Sequence, residues 1–143
     1  MLSAGKLAGK RVLITGGPTI EPVDSIRVLT NRSSGRTGIE LAREAYRQGA
    51  NVTLVHSKEL NLRMIREIRV ETAEEMIDAC INELRKANGG KEKEYDALIS
   101  AAAISDFSPE LHDGKLPSGA ELHLTLVPTR KPVSYTHLTL PTN

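Results

Sequence analysis

Residues 11–35 of this chain read RVLITGGPTIEPVDSIRVLTNRSSG, and this stretch decides the fold class. Its apolar start, Arg11–Ile14, predicts a short β-strand, and the spacing of apolar residues after it predicts a helix over Gly35–Gln48. A second strand is predicted at Asn51–His56. Because strand, helix and strand in that order build parallel sheets, we predict an α/β fold with a Rossmann-like, mainly parallel sheet flanked by helices.

The rest of the chain continues the alternation of strands and helices. Ile65–Val70 is a further strand candidate, and Thr72 with Glu75 three residues later forms a capping-box pattern that predicts a helix start. The small and apolar run Tyr95–Ala102 predicts a central strand covered on both faces. The alternating leucines of Leu122–Leu126 predict a half-exposed strand.

Composition excludes several classes of protein. The chain has 143 residues, 39% of them hydrophobic, which suits one domain with its own core. Its 19 basic and 18 acidic residues give no basic excess of the kind that binds nucleic acid. No apolar stretch reaches membrane-spanning length, and the single Cys80 excludes an internal disulfide. We therefore expect a cytoplasmic protein without a membrane or nucleic-acid partner.

The connection between the first strand and the first helix is long enough to indicate a functional loop. Gly16 and Gly17 allow close approach of backbone, and Ser33-Ser34-Gly35 stands at the predicted helix N-terminus, where a phosphate can bind. An ordinary helix cap explains the same tripeptide. The nearby Arg27, Arg32 and Arg36 favour an anion site, although exposed arginines on a solvated surface remain the alternative.

Two later segments carry further candidates for this site. Ala102 and Asp106 follow the Tyr95–Ala102 strand, where α/β sheets bind ligands, and Asp106 can accept hydrogen bonds from a ribose or a base. A tightly packed strand end followed by a turn is the simpler explanation. Lys115 lies in a Gly-flanked loop that we expect to be mobile, where a lysine can neutralise a triphosphate; an ordinary exposed lysine is the alternative.

The common nucleotide motifs are missing from the sequence. There is no Gly-x-Gly-x-x-Gly and no Walker loop, and the four histidines lack zinc-ligand spacing, so no protein metal site is predicted. Thr15-Gly16-Gly17 after a first strand is similar to nicotinamide-dependent reductases, but in those proteins the helix follows almost at once.

Taken together, these segments resemble the phosphopantothenate–cysteine ligase family. The resemblance spans about Leu7 to Lys131 and rests on a few motifs: ITGGPT with Glu21-Pro22, Asp24-Ser25-Ile26-Arg27, TNRSSG ending at Gly35, GANVTLV from Gly49, three alanines followed by Ser105-Asp106-Phe107, and LVPT from Leu126. It implies activation of 4′-phosphopantothenate by CTP and Mg²⁺ to an acyl-cytidylate, then coupling to cysteine with release of CMP. It also implies a homodimer, and a flavin only where a decarboxylase domain is fused.

The resemblance assigns roles to individual residues. It implies that Asn31, Arg27 and Lys115 are catalytic. The residues it implies for nucleotide binding are Gly16, Gly17, Ser33, Ser34, Gly35, Ala102, Asp106 and Lys115.

The same comparison predicts the domain organisation. Residues 1–9 are expected to be a leader or linker, 10–131 the N-terminal part of the ligase domain, and 132–143 a non-native tail, so that the fold is incomplete at its C-terminal end. Two other functions stay open at this point: an NAD(P)-dependent Rossmann-type reductase and a non-catalytic nucleotide-binding module.

Overall fold

A computed structural model describes residues 5–89 and 94–129. The elements are β1 (Arg11–Thr15), β2 (Ile20–Pro22), β3 (Val28–Thr30), α1 (Arg36–Arg47), β4 (Asn51–His56), β5 (Arg66–Arg69), α2 (Ala73–Gly89), β6 (Ala97–Ser100), β7 (Phe107–Pro109) and β8 (Leu126–Pro128). Neither helix in this part of the chain combines the length and the apolar character needed to cross a bilayer.

The central sheet has four parallel strands in the order β5-β4-β1-β6. The chain runs from β1 through α1 to β4, which pairs with one edge of β1. After β5 it runs through α2 to β6, which pairs with the other edge of β1. The strand order therefore reverses between β1 and β6, and ligands of open α/β sheets bind at the carboxyl ends of strands at such a point. The remaining strands form two antiparallel pairs, β2 with β3 and β7 with β8.

The core lies on both faces of this sheet because side chains alternate along each strand. On one face, Leu13 and Val55 pack in a cluster with Met76, Ile77 and Cys80 of α2. On the other face, a second cluster joins β1 and β4 to α1; its buried members there are Val12, Ile14, Val52, Leu54, Ala42 and Ala45. The predicted Rossmann-like α/β arrangement is confirmed.

The start of α2 confirms the predicted capping box. The Glu75 N–H donates to Thr72 Oγ1 at 3.1 Å, and Glu75 Oε2 accepts from the N–H groups of Thr72 at 3.4 Å and Glu71 at 2.7 Å. Cys80 is fully buried on this helix, and burial raises the pKa of its thiol to about 12. The thiol therefore stays protonated and serves as a core side chain.

The predicted central strand over Tyr95–Ala102 is wrong in length and position. The strand is only Ala97–Ser100, and within the described residues it lies at an edge of the sheet, where Ala97, Leu98 and Ile99 are half-buried. A run of small and apolar residues fits an edge strand as well as a central one. Beyond Ser100 the chain continues beside the residues that follow β1, where the Ala101 N–H donates to the Thr15 carbonyl at 3.1 Å and the Ala103 N–H donates to the Gly17 carbonyl at 2.8 Å.

The predicted strand over Leu122–Leu126 is also wrong for most of its length. Leu122 and Leu124 lie in irregular structure, and the strand begins only at Leu126. Its partner β7 has three residues, with Pro109 opposite Leu126, so the ladder has no partner strand for the earlier leucines. Outside this ladder, the Glu110 N–H donates to the Thr125 carbonyl at 3.2 Å, and the Thr129 N–H donates to the Asp106 carbonyl at 2.9 Å.

The described part of the predicted leader, residues 5–9, packs against the far end of α1. The Leu7 N–H donates to the Gln48 carbonyl at 2.9 Å, and its side chain contacts the α1-side core. The predicted tail, 132–143, lies outside the described residues.

Candidate functional site

Four glycines bring the end of β1 into direct backbone contact with the start of α1. A Cβ atom added to Gly38 would lie 2.7 Å from the Gly16 Cα, and one added to Gly35 would lie 3.1 Å from the Gly17 Cα. Gly35 caps α1 in the left-handed region at φ 77°, and Gly17 has φ 74°. We call this group, Gly16, Gly17, Gly35 and Gly38, the glycine contact.

The long loop predicted between β1 and α1 contains the β2–β3 hairpin, which the sequence did not predict. The chain leaves the sheet at Gly17 and returns beside it at Gly35, so the hairpin is an insertion with adjoining ends. A buried carboxylate closes its turn: Asp24 Oδ1 accepts from the N–H groups of Ile26 at 2.9 Å and Arg27 at 2.7 Å. A short Asp side chain that bonds to the backbone just ahead of it is a recognisable turn signal.

Asp24 also fixes the segment that carries Lys115. Its Oδ2 accepts from the Leu116 N–H at 2.8 Å and from the Arg27 guanidinium at 2.5 Å. Burial alone would raise the pKa of this carboxyl, but the hydrogen bonds from Ile26, Leu116 and Arg27 outweigh burial and hold the pKa well below its usual range. Asp24 is therefore an ionised acceptor that joins two loops.

Arg27 and Lys115, both predicted as catalytic, are neighbours through this junction. The Arg27 guanidinium donates to the Leu116 carbonyl at 3.2 Å, and the Ser25 N–H donates to the Gly114 carbonyl at 3.0 Å. The backbone on either side of Lys115 is thus tied to the hairpin turn, while the Lys115 side chain is exposed.

Asn31 joins the hairpin to the segment that follows β6. Its Nδ2 donates to the Ala103 carbonyl at 2.8 Å, and its Oδ1 accepts from the Ser33 N–H at 3.0 Å. The predicted residues Asn31 and Ala102 are therefore brought together at the carboxyl end of the sheet. Asp106, further along the same segment, is exposed, and its carbonyl accepts from the Thr129 N–H at 2.9 Å.

Two buried threonines, which were not predicted from the sequence, accept hydrogen bonds from the segment that follows β6. Thr15 Oγ1 accepts from the Ala102 N–H at 3.4 Å, and Thr19 Oγ1 accepts from the Ser105 N–H at 2.9 Å. Pro18 and Ala103 form an isolated parallel bridge between the two loops. The available signal was a hydroxyl at the end of an apolar strand, because a buried hydroxyl needs a partner.

The two serines before α1 accept hydrogen bonds from the backbone two residues ahead of them. Ser33 Oγ accepts from the Gly35 N–H at 3.3 Å, and Ser34 Oγ accepts from the Arg36 N–H at 3.3 Å. The first turn of α1 contains no acidic residue, so no protein carboxylate offsets the positive end of the helix there. The N-cap itself is Gly35, which has no side chain to cap the helix, so the ordinary side-chain cap that was the alternative explanation is absent at this N-cap.

The described residues gather no group of three or more His, Cys, Asp or Glu side chains that could hold a metal ion. The site residues thus fall into two parts. The glycine contact with the two serines forms one part. The other, which we call the polar junction, comprises Asp24 with Arg27 at the hairpin turn and Asn31 at the opposite end of β3, and each end is hydrogen bonded to a different later segment of the chain.

Comparison with known proteins identifies the family. Residues 7–136 match the family model described as the DNA/pantothenate metabolism flavoprotein C-terminal domain. The chain is 46% identical over 127 residues to the coenzyme A biosynthesis bifunctional protein CoaBC of Thermococcus kodakarensis, covering 87% of this chain but 30% of that protein. It spans about a third or less of the length of such relatives.

Solved structures agree with this match. The C-terminal domain of a coenzyme A biosynthesis bifunctional protein CoaBC has a TM-score of 0.71 and 32% identity, covering 92% of this chain and 60% of that one. A Cab2 mutant in complex with phosphopantothenate-cysteine has a TM-score of 0.57 at 20% identity, covering 91% and 59%, and shows a likeness of fold alone. The chain belongs to the DNA/pantothenate metabolism flavoprotein C-terminal domain family, and its relatives include coenzyme A biosynthesis bifunctional proteins.

Proposed function

We propose that this domain serves a phosphopantothenate–cysteine ligase. In the proposed reaction the carboxylate of 4′-phosphopantothenate attacks the α-phosphorus of CTP, forming an acyl-cytidylate and releasing pyrophosphate. The amine of cysteine then attacks the acyl carbon, which gives 4′-phosphopantothenoylcysteine and CMP. The substrates are 4′-phosphopantothenate, CTP and cysteine, and the proposed assembly is a homodimer.

The observation that carries this proposal is the polar junction. It ties the hairpin to two later segments that carry predicted residues: Asn31 bonds to the segment after β6, and Arg27 bonds to the segment that bears Lys115. An activating reaction needs one place that holds a nucleotide, a carboxylate and a leaving pyrophosphate. The carboxyl ends of β1 and β6, where a parallel sheet offers its binding crevice, provide that place.

The proposed chemistry brings anions together, so its residues must offset negative charge. Lys115 would neutralise the pyrophosphate as it leaves, and the start of α1 would hold phosphate oxygens with its N–H groups. Arg27 would stand near the reacting carboxylate while its guanidinium stays on Asp24. Asn31 is neutral, so its amide can hydrogen bond to an acyl phosphate without attacking it.

Mg²⁺ fits this site only as an ion that the nucleotide carries. In the part of the chain that the structure describes, no carboxylate and histidine cluster is available to hold it. Mg²⁺ commonly binds through substrate phosphates and waters with few protein ligands, and its chemistry here would be charge neutralisation on the triphosphate.

A direct test measures products as the substrates are added one at a time. With a protein that carries the whole domain, of which this chain is expected to be the N-terminal part and inactive by itself, CTP, 4′-phosphopantothenate and Mg²⁺ should give pyrophosphate, and cysteine should then give CMP and 4′-phosphopantothenoylcysteine. Lys115→Gln should slow pyrophosphate release, whereas the matched charge change Lys6→Gln, at the far end of α1, should leave it unchanged. An effect of Lys115→Gln on cysteine affinity alone would show that its role is misassigned.

Ligand protection in thermal unfolding separates the alternatives. Stabilisation by CTP, with pyrophosphate released on addition of 4′-phosphopantothenate, supports the ligase. Stabilisation by NADPH and not by CTP would replace it with a reductase. CTP binding without any pyrophosphate release, even in a full-length version of the protein, would indicate a nucleotide-binding module without catalysis.

A further inference from the structure

The segment His56–Lys58, at and just beyond the end of β4, lies beside the glycine contact and has no part in the proposed reaction. Ser57 Oγ donates to the Pro18 carbonyl at 2.6 Å, and His56 Nε2 lies 2.7 Å from Glu67 Oε1. His56 and Ser57 are buried and Lys58 is half-buried. The segment is therefore fixed in place against the loop that opens the candidate phosphate site.

Lys58 reaches the N-terminus of α1. Its Cε lies 3.8 Å from the point that a Cβ atom on Gly35 would occupy, and Lys58 lines a narrow crevice with Gly16, Gly17 and His56. Ion pairing does not explain this position, because no acidic side chain in residues 5–89 or 94–129 pairs with Lys58. The half-buried side chain of Lys58 thus lies against the residue that caps the helix.

The positive charges around the N-terminus of α1 favour the binding of an anion that the protein itself does not supply. The helix dipole places positive potential at this end of α1, the first turn has no acidic residue, and Arg36 opens that turn. Lys58 adds another cation to the same place. Without an anion these positive charges repel one another, whereas a bound phosphate would make each contact favourable.

His56 gives an independent sign of a missing partner. Only 2% of its surface is exposed, and its Nδ1 is buried without a hydrogen-bond partner among the described residues. The crevice that it lines has no room for a water molecule in this structure. Because native proteins rarely leave a buried polar atom unpaired, this nitrogen points to a ligand or a ligand-bound water that is not part of the chain.

We propose that Lys58, with His56 beneath it, completes a phosphate subsite at the N-terminus of α1. Lys58 binds a phosphate oxygen directly, and as the narrow crevice widens around the anion, His56 Nδ1 accepts a hydrogen bond from a water that the anion brings. The subsite deepens the proposed function, on which it rests for the source of the phosphate. That source is either the triphosphate of the nucleotide or the 4′-phosphate of phosphopantothenate.

Calorimetric titration of the full chain with sodium tripolyphosphate tests the subsite without any catalysis. Lys58→Ala should weaken binding about tenfold, as expected for loss of one charge-assisted contact, and Lys58→Arg should restore most of it. Lys6→Ala removes the same charge at the opposite end of α1 and should change binding less than about twofold. Equal losses in both alanine variants, or no binding by the unaltered chain, would overturn the proposal.

Nitrogen NMR of the His56 ring provides a measurement that needs no substitution in the core. Saturating tripolyphosphate should shift the Nδ1 resonance of the unaltered chain more than the Nε2 resonance, because Nε2 already faces Glu67. An unchanged Nδ1 resonance while tripolyphosphate is bound would remove His56 from the subsite.

Parallel titrations distinguish the two sources of phosphate and keep this proposal separate from the previous one. A Lys58→Ala loss for CTP but not for 4′-phosphopantothenate assigns the subsite to the triphosphate, and the reverse result assigns it to the 4′-phosphate. Lys58-dependent tripolyphosphate binding without CTP binding would support the subsite and remove the CTP-dependent ligase. CTP binding that ignores Lys58→Ala and Lys58→Arg, with pyrophosphate release intact, would overturn the subsite and keep the ligase.

Discussion

The glycine contact and the polar junction lie at the same end of the sheet, but different forces hold them together. At the glycine contact, backbone meets backbone so closely that a Cβ atom on Gly38 would lie 2.7 Å from the Gly16 Cα. At the polar junction, side chains of Asp24, Arg27 and Asn31 bridge loops through hydrogen bonds, and Asn31 is exposed. A closely packed backbone contact is lost only when the whole fold unfolds, whereas loops held by hydrogen bonds can open locally.

The largest effect is expected at the glycine contact. Gly38→Ala should destabilise the chain by about 2 kcal/mol, because overpacking against backbone outweighs the better helix propensity of alanine. Thr37→Ala, the exposed neighbour on the same helix, is the control and should change stability by less than about 0.5 kcal/mol. Urea unfolding measures both. Equal stability of Gly38→Ala and the unaltered chain would show that the contact can relax and would break the comparison.

The next effect is expected where Asp24 joins the two loops. Asp24→Asn should leave the sheet intact but increase amide hydrogen exchange at Leu116 by about tenfold or more, because the N–H loses an ionised acceptor. Amide exchange in β1 and β4 should change little. Asp113→Asn, an exposed acid in the same loop, serves as the control. Faster exchange throughout the sheet would mean that the junction unfolds together with the core.

The pH dependence of the Asp24 junction has a defined sign. Since the pKa of Asp24 is depressed in the folded protein, its ionised form stabilises the junction above the unfolded pKa, and this contribution is lost as the pH falls. The difference in Leu116 exchange between the unaltered chain and Asp24→Asn should be constant above about pH 5 and shrink below about pH 4. A difference that grows in acid would contradict this assignment.

A smaller structural effect, with a specific chemical consequence, is expected at Asn31. Asn31→Asp replaces the donor to the Ala103 carbonyl with a carboxylate oxygen and should cost about 1 kcal/mol. In the proposed reaction this variant should release pyrophosphate yet accumulate the acyl-cytidylate, which mass spectrometry would detect. Asn51→Asp, at the opposite end of the sheet, is the control. Normal turnover without a trapped cytidylate would remove the proposed role of Asn31.

The smallest effect on stability is expected at Glu21, whose side chain is buried where β2 lies in the hairpin. Burial raises the pKa of Glu21, although the Thr19 hydroxyl and the Ala73 N–H at 3.2 Å favour its ionised form. Its charge therefore costs stability at pH 7, and this cost disappears as the pH falls through the raised pKa. Glu21→Gln should slightly raise the thermal midpoint at pH 7 and converge with the unaltered chain near pH 4. The exposed Glu71→Gln should show no such convergence.

The helices and strands that were predicted well are those in which apolar residues recur at a regular spacing. β4 was predicted residue for residue, α1 within one residue at each end, and the Thr72–Glu75 capping box in its details. These succeed because burial on one face leaves a regular pattern of apolar residues. The β2–β3 hairpin could not be predicted in this way, since its three-residue strands are too short to show a period and its turn depends on Asp24.

The candidate site was predictable as a set of segments but not as a set of contacts. The loop composition indicated that Asn31, Ala102 and Lys115 belong near the end of the sheet. That Asn31 would bond to the Ala103 carbonyl, or that Asp24 would bond to the Leu116 N–H, depends on residues more than seventy positions apart. Contacts of this kind depend on the order of the strands in the sheet, which cannot be read from a single sequence.

Because the two ends of the hairpin insertion touch, the packing of β1 against α1 is separate from the structure of the hairpin. Because Gly17 and Gly35 touch, the segment between them can change in length or sequence without altering how β1 meets α1. The glycine contact thus fixes how β1 meets α1, and the hairpin is an insertion built on that contact. Replacing the hairpin with a two-residue linker would keep the N-terminus of α1, where phosphate binding is proposed, and would remove the two serines together with Arg27 and Asn31. Such a variant would show what the start of α1 can bind without the hairpin.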